Sequence, residues 1–146
     1  MKTTLKTTWK GLIQGQGSMV SETIDLPIAI PPSFGGTGAG SHPKELLMAS
    51  ATACYVMTLA GMLSAKKLPL VGISVNSELS DTSSKQSLQI AHEAHIELAP
   101  EATQQQLDTA ETLIEAADKS CMIGNLLKTA GVQIVVSGNV SNASKI

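Results

Sequence analysis

The run "LLMASATACYVMTLAGMLSA", residues 46–65, contains no charged side chain over 20 positions. Lys44 and Glu45 stand before it and Lys66 and Lys67 behind it, so its ends are marked by charge. The stretch reads as one long helix. Ser41 or His42 is placed to cap it, Pro43 fits the first turn, and Glu45 suits the positive end of the helix dipole. The helix should end near Lys66 and Lys67, with Pro69 beyond. Twenty residues also suffice to cross a bilayer. However, Ser50, Thr52, Thr58, Gly61, Ser64 and several alanines dilute the apolar character, and patterned segments flank the run. A small membrane protein is therefore the least favoured alternative. A helix apolar on all sides is also the buried central helix of a globular protein.

Working outward, the N-terminal third alternates with period two. Leu5, Thr7 and Trp9 face one way over residues 2–10, which predicts a strand, and a second is expected over 12–20, interrupted by Gly15 and Gly17. Ile24, Leu26, Ile28 and Ile30 mark a third, with Pro27 on its outer side as at a sheet edge. "PPSFGGTGAGSHP" (31–43) is a loop by composition. After the long helix, Val71, Ile73 and Val75 mark a strand, "DTSSKQ" (81–86) a turn, and Leu88, Ile90, Ala94, Ile96 and Leu98 one face of a longer strand. Residues 101–118 read as a helix with Leu107, Ala110, Ile114 and Ala117 on one stripe. A short helix follows from Cys121 to Ala130, closed by Gly131. Val132, Ile134 and Val136 begin a last strand, and the polar tail "SNASKI" is expected to fray. This order predicts a single α+β domain, residues 1–146, with a mostly antiparallel sheet around a long central helix.

Several functions are excluded by what the chain lacks. Its 146 residues carry a net charge of −2 and no basic block, which leaves no electrostatic footprint for nucleic acid. All ten basic residues are lysine. "GGTGAG" (35–40) lies outside the strand–loop–helix frame that a dinucleotide or phosphate loop requires, and reads as a flexible loop. No nucleophile elbow occurs. Zinc is not expected: Cys54, Cys121, His42, His92 and His95 lack ligand spacing, and no cofactor is implied. His92 and His95 should point to opposite faces of their strand, His92 inward as a satisfied core histidine. "MKTTLKTTWKGLIQ" at the start shows no apolar signal region, so a cytoplasmic location without membrane association is expected.

The two cysteines remain. Pattern alone makes Cys54 a small core hydrophobe. Cys121 follows Ser120 at an expected helix start, where dipole and free N–H groups favour a thiolate, so Cys121 is expected to be the more acidic thiol.

The segments "SHPKELLMASATACYVMTLAGML" and "KSCMIGNLLKTAGVQI", with the N-terminal "TTWKG", resemble the OsmC/Ohr family of osmotically inducible and organic hydroperoxide resistance proteins. The resemblance runs along nearly the whole chain. It implies an intertwined homodimer in which sheets wrap a pair of long central helices, and the small Ala49, Ala51 and Ala53 suit such close helix approach. It also implies a thiol peroxidase, in which Cys54 attacks an organic hydroperoxide, Cys121 condenses with it to a disulfide, and an external dithiol resets the pair. The chain departs from the family pattern in having no arginine. Lys44 replaces the family glutamate, with Glu45 one place off, and Met122 replaces the proline after the second cysteine. Lys44 and Glu45 are auxiliary candidates. Lys44 lies about 15 Å along its helix from Cys54, so it could act only from a partner chain. The alternative reading is a non-peroxidase OsmC-like protein that binds an apolar small molecule or partner at the dimer interface.

Overall fold

A computed structural model describes residues 1–82 and 87–145. The chain forms two compact units, Met1–Leu47 and Met48–Ile146.

The first unit holds an antiparallel sheet in the order β1 (Lys6–Lys10), β2 (Gln16–Val20) and β3 (Asp25–Ile28). Both outer strands are shorter than the alternation suggests. The β1–β2 ladder ends where Lys6 meets Val20, and residues 11–15 turn through Gly11 in a left-handed conformation, with Gly15 N–H donating to Leu12. Pro27 does sit on an edge strand. Gly17 lies between Trp9 and Ile28, and a β-carbon there would come within 2.8 Å of the Trp9 ring. Lack of a side chain therefore lets the sheet close under the indole. One face of this sheet, with Pro43 and Leu46, borders an apolar cavity of about 470 Å³ lined also by Trp9, Met19, Ile28 and Ile30. The loop 31–42 contains a single 3-10 turn, Pro32–Phe34, and returns to β3 through a bridge between Ile28 and Ser41.

The long helix α1, Pro43–Ala65, starts in the first unit and continues through the second. His42 caps it, accepting at Nδ1 from the Glu45 N–H at 3.4 Å. Lys67 ends it in a left-handed conformation, while the Leu68 N–H reaches back to the Leu63 carbonyl. Within the chain only one stripe of α1 is buried: Ala51, Tyr55, Leu59 and Leu63, at helical spacing. The expected all-round burial is not supplied by this chain. Ala53, Met57, Gly61 and Ser64 face outward, and Met57 is 72% exposed.

That stripe packs on the second sheet, in the order β4 (Leu70–Asp81), β5 (Leu88–Leu98), β6 (Gln133–Asn142). β4 and β5 are antiparallel; β5 and β6 are parallel, which requires a long crossover. Two helices provide it, α2 (Gln104–Ser120) and α3 (Met122–Thr129). Thr103 and Gln106 form a reciprocal capping box at the start of α2. Ala110, Ile114 and Ala117 are buried as their stripe predicts, and Leu107 packs against them. The expected turn at 81–86 falls largely outside the described residues. The tail is more ordered than its polarity suggests. β6 runs to Asn142, whose amide donates to the carbonyls of Ala99 and Ala102, and the Ala143 N–H bonds Leu98.

β5 turns Ile90, His92, Ala94, Ile96 and Leu98 inward. His92 is a satisfied core histidine: its ring stacks on Tyr55 at 5.1 Å, and its Nδ1 shares a 2.7 Å hydrogen bond with Ser77 Oγ. Thr52 donates to the same Ser77 oxygen, and the Tyr55 hydroxyl donates to the Ile114 carbonyl at 2.9 Å. Residues 52 and 55 of α1 are thus held to β4, β5 and α2 by polar as well as apolar contacts. Burial lowers the His92 pKa below its ordinary 6.5, and the nearby Asp118 charge opposes this only partly. The unfolded chain therefore binds a proton here more readily than the folded one. The stability contribution is complete above about pH 6.5 and is lost as the pH falls through the folded-state value. Thermal unfolding at pH 5 and pH 7 should show a midpoint that drops in acid. His92→Asn, which keeps a partner for Ser77, should flatten that dependence; an equal drop in both proteins would exclude His92 as its source.

Candidate active site

Cys54 and Cys121 meet in the second unit. Cys54 follows from the register of α1, one residue before the anchored Tyr55. Cys121 follows from the break between α2 and α3: it is the last cap of one helix and the N-cap of the next, with extended backbone at φ −74° and ψ 113°. Both thiols are free, Cys54 half-buried and Cys121 buried, and they lie within hydrogen-bonding reach of each other.

The first N–H groups of α3 have no carbonyl partner within their own helix. The Gly124 N–H goes to the Cys121 sulfur at 3.4 Å, and the Asn125 N–H to the Cys121 carbonyl at 2.9 Å. The Met122 and Ile123 N–H groups act on Cys54 in favour of its ionised form. A β-carbon on Gly124 would stand 3.3 Å from the Cys121 sulfur and 3.4 Å from Ile134, so glycine leaves room for this approach. On α1, the Thr58 hydroxyl donates to the Cys54 carbonyl at 2.7 Å and also reaches the Cys54 sulfur. Its single proton is available to the thiolate on rotation.

These contacts separate the two thiols in acidity, against the expectation from the sequence. Burial raises the Cys54 thiol, but the Ile123 N–H, the Cys121 thiol, the Thr58 hydroxyl and the Met122 N–H together outweigh it and hold Cys54 below its ordinary 9.0. Cys121 is pushed up to about 11, first by burial, then by donating to Cys54 and by the charges of Cys54 and Asp118; the Gly124 N–H alone opposes. A helix N-terminus does create the acidic thiol, but its two outermost amides are aimed at the neighbouring cysteine.

Asp118, one turn before Cys121, is a residue that the sequence reading passed over. It pairs with Lys128 at 2.8 Å, and its charge acts on Cys121, His92 and Tyr55. The Tyr55 phenol is pushed up to about 12 by burial and then by Asp118 and Cys121, so it remains a hydrogen-bond donor. The spacing 118/121 and the i,i+4 pair 54/58 were available as signals; Met122 and Ile123 were not, because they act through the backbone. Lys44 and Glu45 lie exposed in the first turn of α1, in the other unit. The shift of Cys54 is produced by residues 58, 121, 122 and 123.

A dithiol centre carried by a long helix and the start of a short one, on an α+β frame of this order, sorts the chain with proteins of one class. Residues 36–137 match the OsmC-like protein family, and this span includes all of α1, the shared cap and the crossover. The chain belongs to that family, so α1 is the long helix of its fold and not a free-standing hydrophobic segment. It is 30% identical over 127 residues, 85% of each chain, to the uncharacterized protein YmaD of Bacillus subtilis (strain 168). Its fold is shared with an organic hydroperoxide resistance protein OsmC of Legionella pneumophila (TM-score 0.70, 24% identity, 94% of this chain and 97% of that one). The organic hydroperoxide resistance protein OhrB of Bacillus subtilis shares it too (TM-score 0.60, 18% identity, 93% and 98%).

With Cys54 held below its ordinary range and Cys121 pushed above it, Cys54 is the thiol that ionises first. Iodoacetamide at pH 7.5, read residue by residue by mass spectrometry, should modify Cys54 and largely spare Cys121. First modification at Cys121 would overturn the assignment.

Proposed function

We propose that the chain is a thiol-dependent peroxidase acting on organic hydroperoxides, with Cys54 as the attacking and Cys121 as the resolving thiol. The observation that carries this reading is that two free thiols pack together in the second unit, one held below its ordinary range and the other pushed up. The Cys54 thiolate attacks one peroxide oxygen, the O–O bond breaks, and the alkoxide takes a proton and leaves as an alcohol. Cys54 is then a sulfenic acid. The Cys121 sulfur displaces its oxygen, which leaves as water with the Cys121 proton, and the Cys54–Cys121 disulfide remains. An external dithiol returns both thiols and is itself oxidised. The exposed Met57 of α1, three residues after Cys54, and the exposed Met122 and Leu126 of α3, just after Cys121, are apolar, which suits an organic peroxide over hydrogen peroxide.

The reading includes a homodimer built on one domain per chain. Its support is the outward stripe of α1, which this chain leaves open, and family membership. Lys44 and Glu45 are auxiliary residues in it only from the partner chain. The apolar cavity of about 470 Å³ in the first unit favours the second reading, an OsmC-like protein that binds an apolar small molecule.

One equivalent of cumene hydroperoxide should be consumed with loss of both free thiols, and peptide mapping should find Cys54 joined to Cys121. Cys121→Ser should still consume one equivalent and stop at a sulfenic acid trapped by dimedone; Cys54→Ser should consume none. If peroxide persists while both thiols remain alkylatable, the binding reading replaces the peroxidase. Sedimentation at micromolar concentration should give twice the chain mass; a well-folded monomer would remove the dimer.

A further inference from the structure

α2 and α3 are separated by one residue, Cys121, which caps both. A junction of one residue leaves the angle between two helices to whatever bridges them, and that angle decides where the Cys121 sulfur points. Among the described residues, two side-chain hydrogen bonds cross it. The Asn125 amide donates to the Lys119 carbonyl at 3.0 Å, and Lys128 donates to the Asp118 carboxylate at 2.8 Å. The second is the longer bridge, from one turn before Cys121 to the last turn of α3. It is also sheltered: the Asp118 side chain is 12% exposed and that of Lys128 33%, whereas the Lys119–Glu115 pair is 73% and 75% exposed. An exposed pair is weak and screened, but removing one partner of a sheltered pair strands a charge. We infer that the Asp118–Lys128 ion pair is a clamp that positions Cys121 for attack on the Cys54 sulfur, by fixing α3 against the end of α2 across the residue that caps both.

The inference deepens the proposed function and rests on Cys121 being the resolving thiol. Asp118 and Lys128 are positioning residues in it, acting through the helix ends that meet at Cys121. Asp118 is buried, and a buried carboxylate needs a partner. Around it stand Tyr55 of α1, His92 of β5, Cys121 at the junction and Lys128 of α3. Tyr55 is pushed up to about 12 and His92 is held below its ordinary 6.5, so both are neutral at pH 7, and Lys128 is the one cation of the four. Asp118 also acts on Cys121 by its charge, which raises that thiol. Its two effects on the resolving step are therefore opposed: the charge disfavours the Cys121 thiolate and slows attack, while the clamp favours attack. Removing the charge separates them.

The test uses reduced full-length protein at pH 7 with one equivalent of dipyridyl disulfide, and needs no peroxide. The Cys54 thiolate attacks one sulfur of the reagent, the reagent's S–S bond breaks, and one thiopyridone leaves. The Cys121 sulfur then attacks the Cys54 sulfur, gives up its proton and displaces the second thiopyridone, leaving the Cys54–Cys121 disulfide. Lys128→Gln should slow the second release relative to the first about tenfold, within the roughly hundredfold that a misplacement of about 1 Å can cost. Lys128→Arg should restore it. Asp118→Asn should slow it too, although Cys121 becomes more acidic. The double variant Asp118→Asn/Lys128→Gln strands no charge and replaces a single variant that fails to fold; it should be no slower than either single one, because the two residues act as a unit. An unslowed second release in a folded variant without the pair overturns the clamp, as does a faster one in Asp118→Asn or an arginine variant as slow as glutamine. A wild-type protein that releases only one thiopyridone overturns the thiol pair together with the clamp. Two releases slowed as expected, with cumene hydroperoxide left unconsumed, support the clamp and remove the peroxidase alone.

Discussion

Amide hydrogens at the start of α3 need acceptors; Cys121 takes those of Gly124 and Asn125, and those of Met122 and Ile123 act on Cys54. This requirement joins the parts of the second unit that matter for chemistry. It places the sulfur of α1 against the first turn of α3, and makes Cys121 the shared cap of two helices. Glycine at 124 eases the approach of sulfur, helix and Ile134, since a β-carbon there would stand 3.3 Å from the Cys121 sulfur. An unsatisfied buried amide costs about 1–3 kcal/mol, so the sulfur contacts are part of what keeps an eight-residue helix in place. The same contacts that complete the fold polarise the thiols.

Two chemically identical side chains thereby acquire different roles. Cys54 receives donors from α3, from Thr58 and from Cys121. Cys121 gives its proton to that arrangement, is buried, and faces the Asp118 carboxylate. Lys128 pairs with Asp118, so its charge is spent against a carboxylate and not on the thiolate. The absence of a guanidinium at Cys54 is then less of a defect than the sequence suggests. Dipoles held by a helix are fixed in direction and bring no counterion, whereas a lysine reaching from a partner chain would have to be ordered first.

The sequence made the long helix, its start at Ser41 or His42, the edge position of Pro27, the inward face of β5 and the stripe of α2 legible, because each rests on periodicity or on a residue with one conformational use. It misjudged the first three strands, whose lengths depend on the pairing partner and on the turn at Gly11 and Gly15. It also misjudged the tail, which Asn142 pins by reaching three residues distant in sequence. At the site, both cysteines were visible, but their order of acidity was not. Helix-dipole reasoning assigned the N-terminal amides to the cysteine nearest in sequence, whereas their direction depends on which side chain of α1 arrives there. That is a tertiary fact. So is the burial of Asp118, which the pattern of α2 gives no reason to single out.

The two thiols are held differently, and this bears on how a disulfide could form between them. Cys54 adjoins Tyr55, whose ring lies on His92 and whose hydroxyl is tied to the Ile114 carbonyl; Thr52, on the preceding turn, is tied to Ser77. The backbone of Cys54 is therefore held from three directions. Sulfurs that only share a hydrogen bond must close to about 2.05 Å to bond covalently. Cys121 stands at the start of α3, which is short, has half its residues facing solvent, and contacts both β6 and α2.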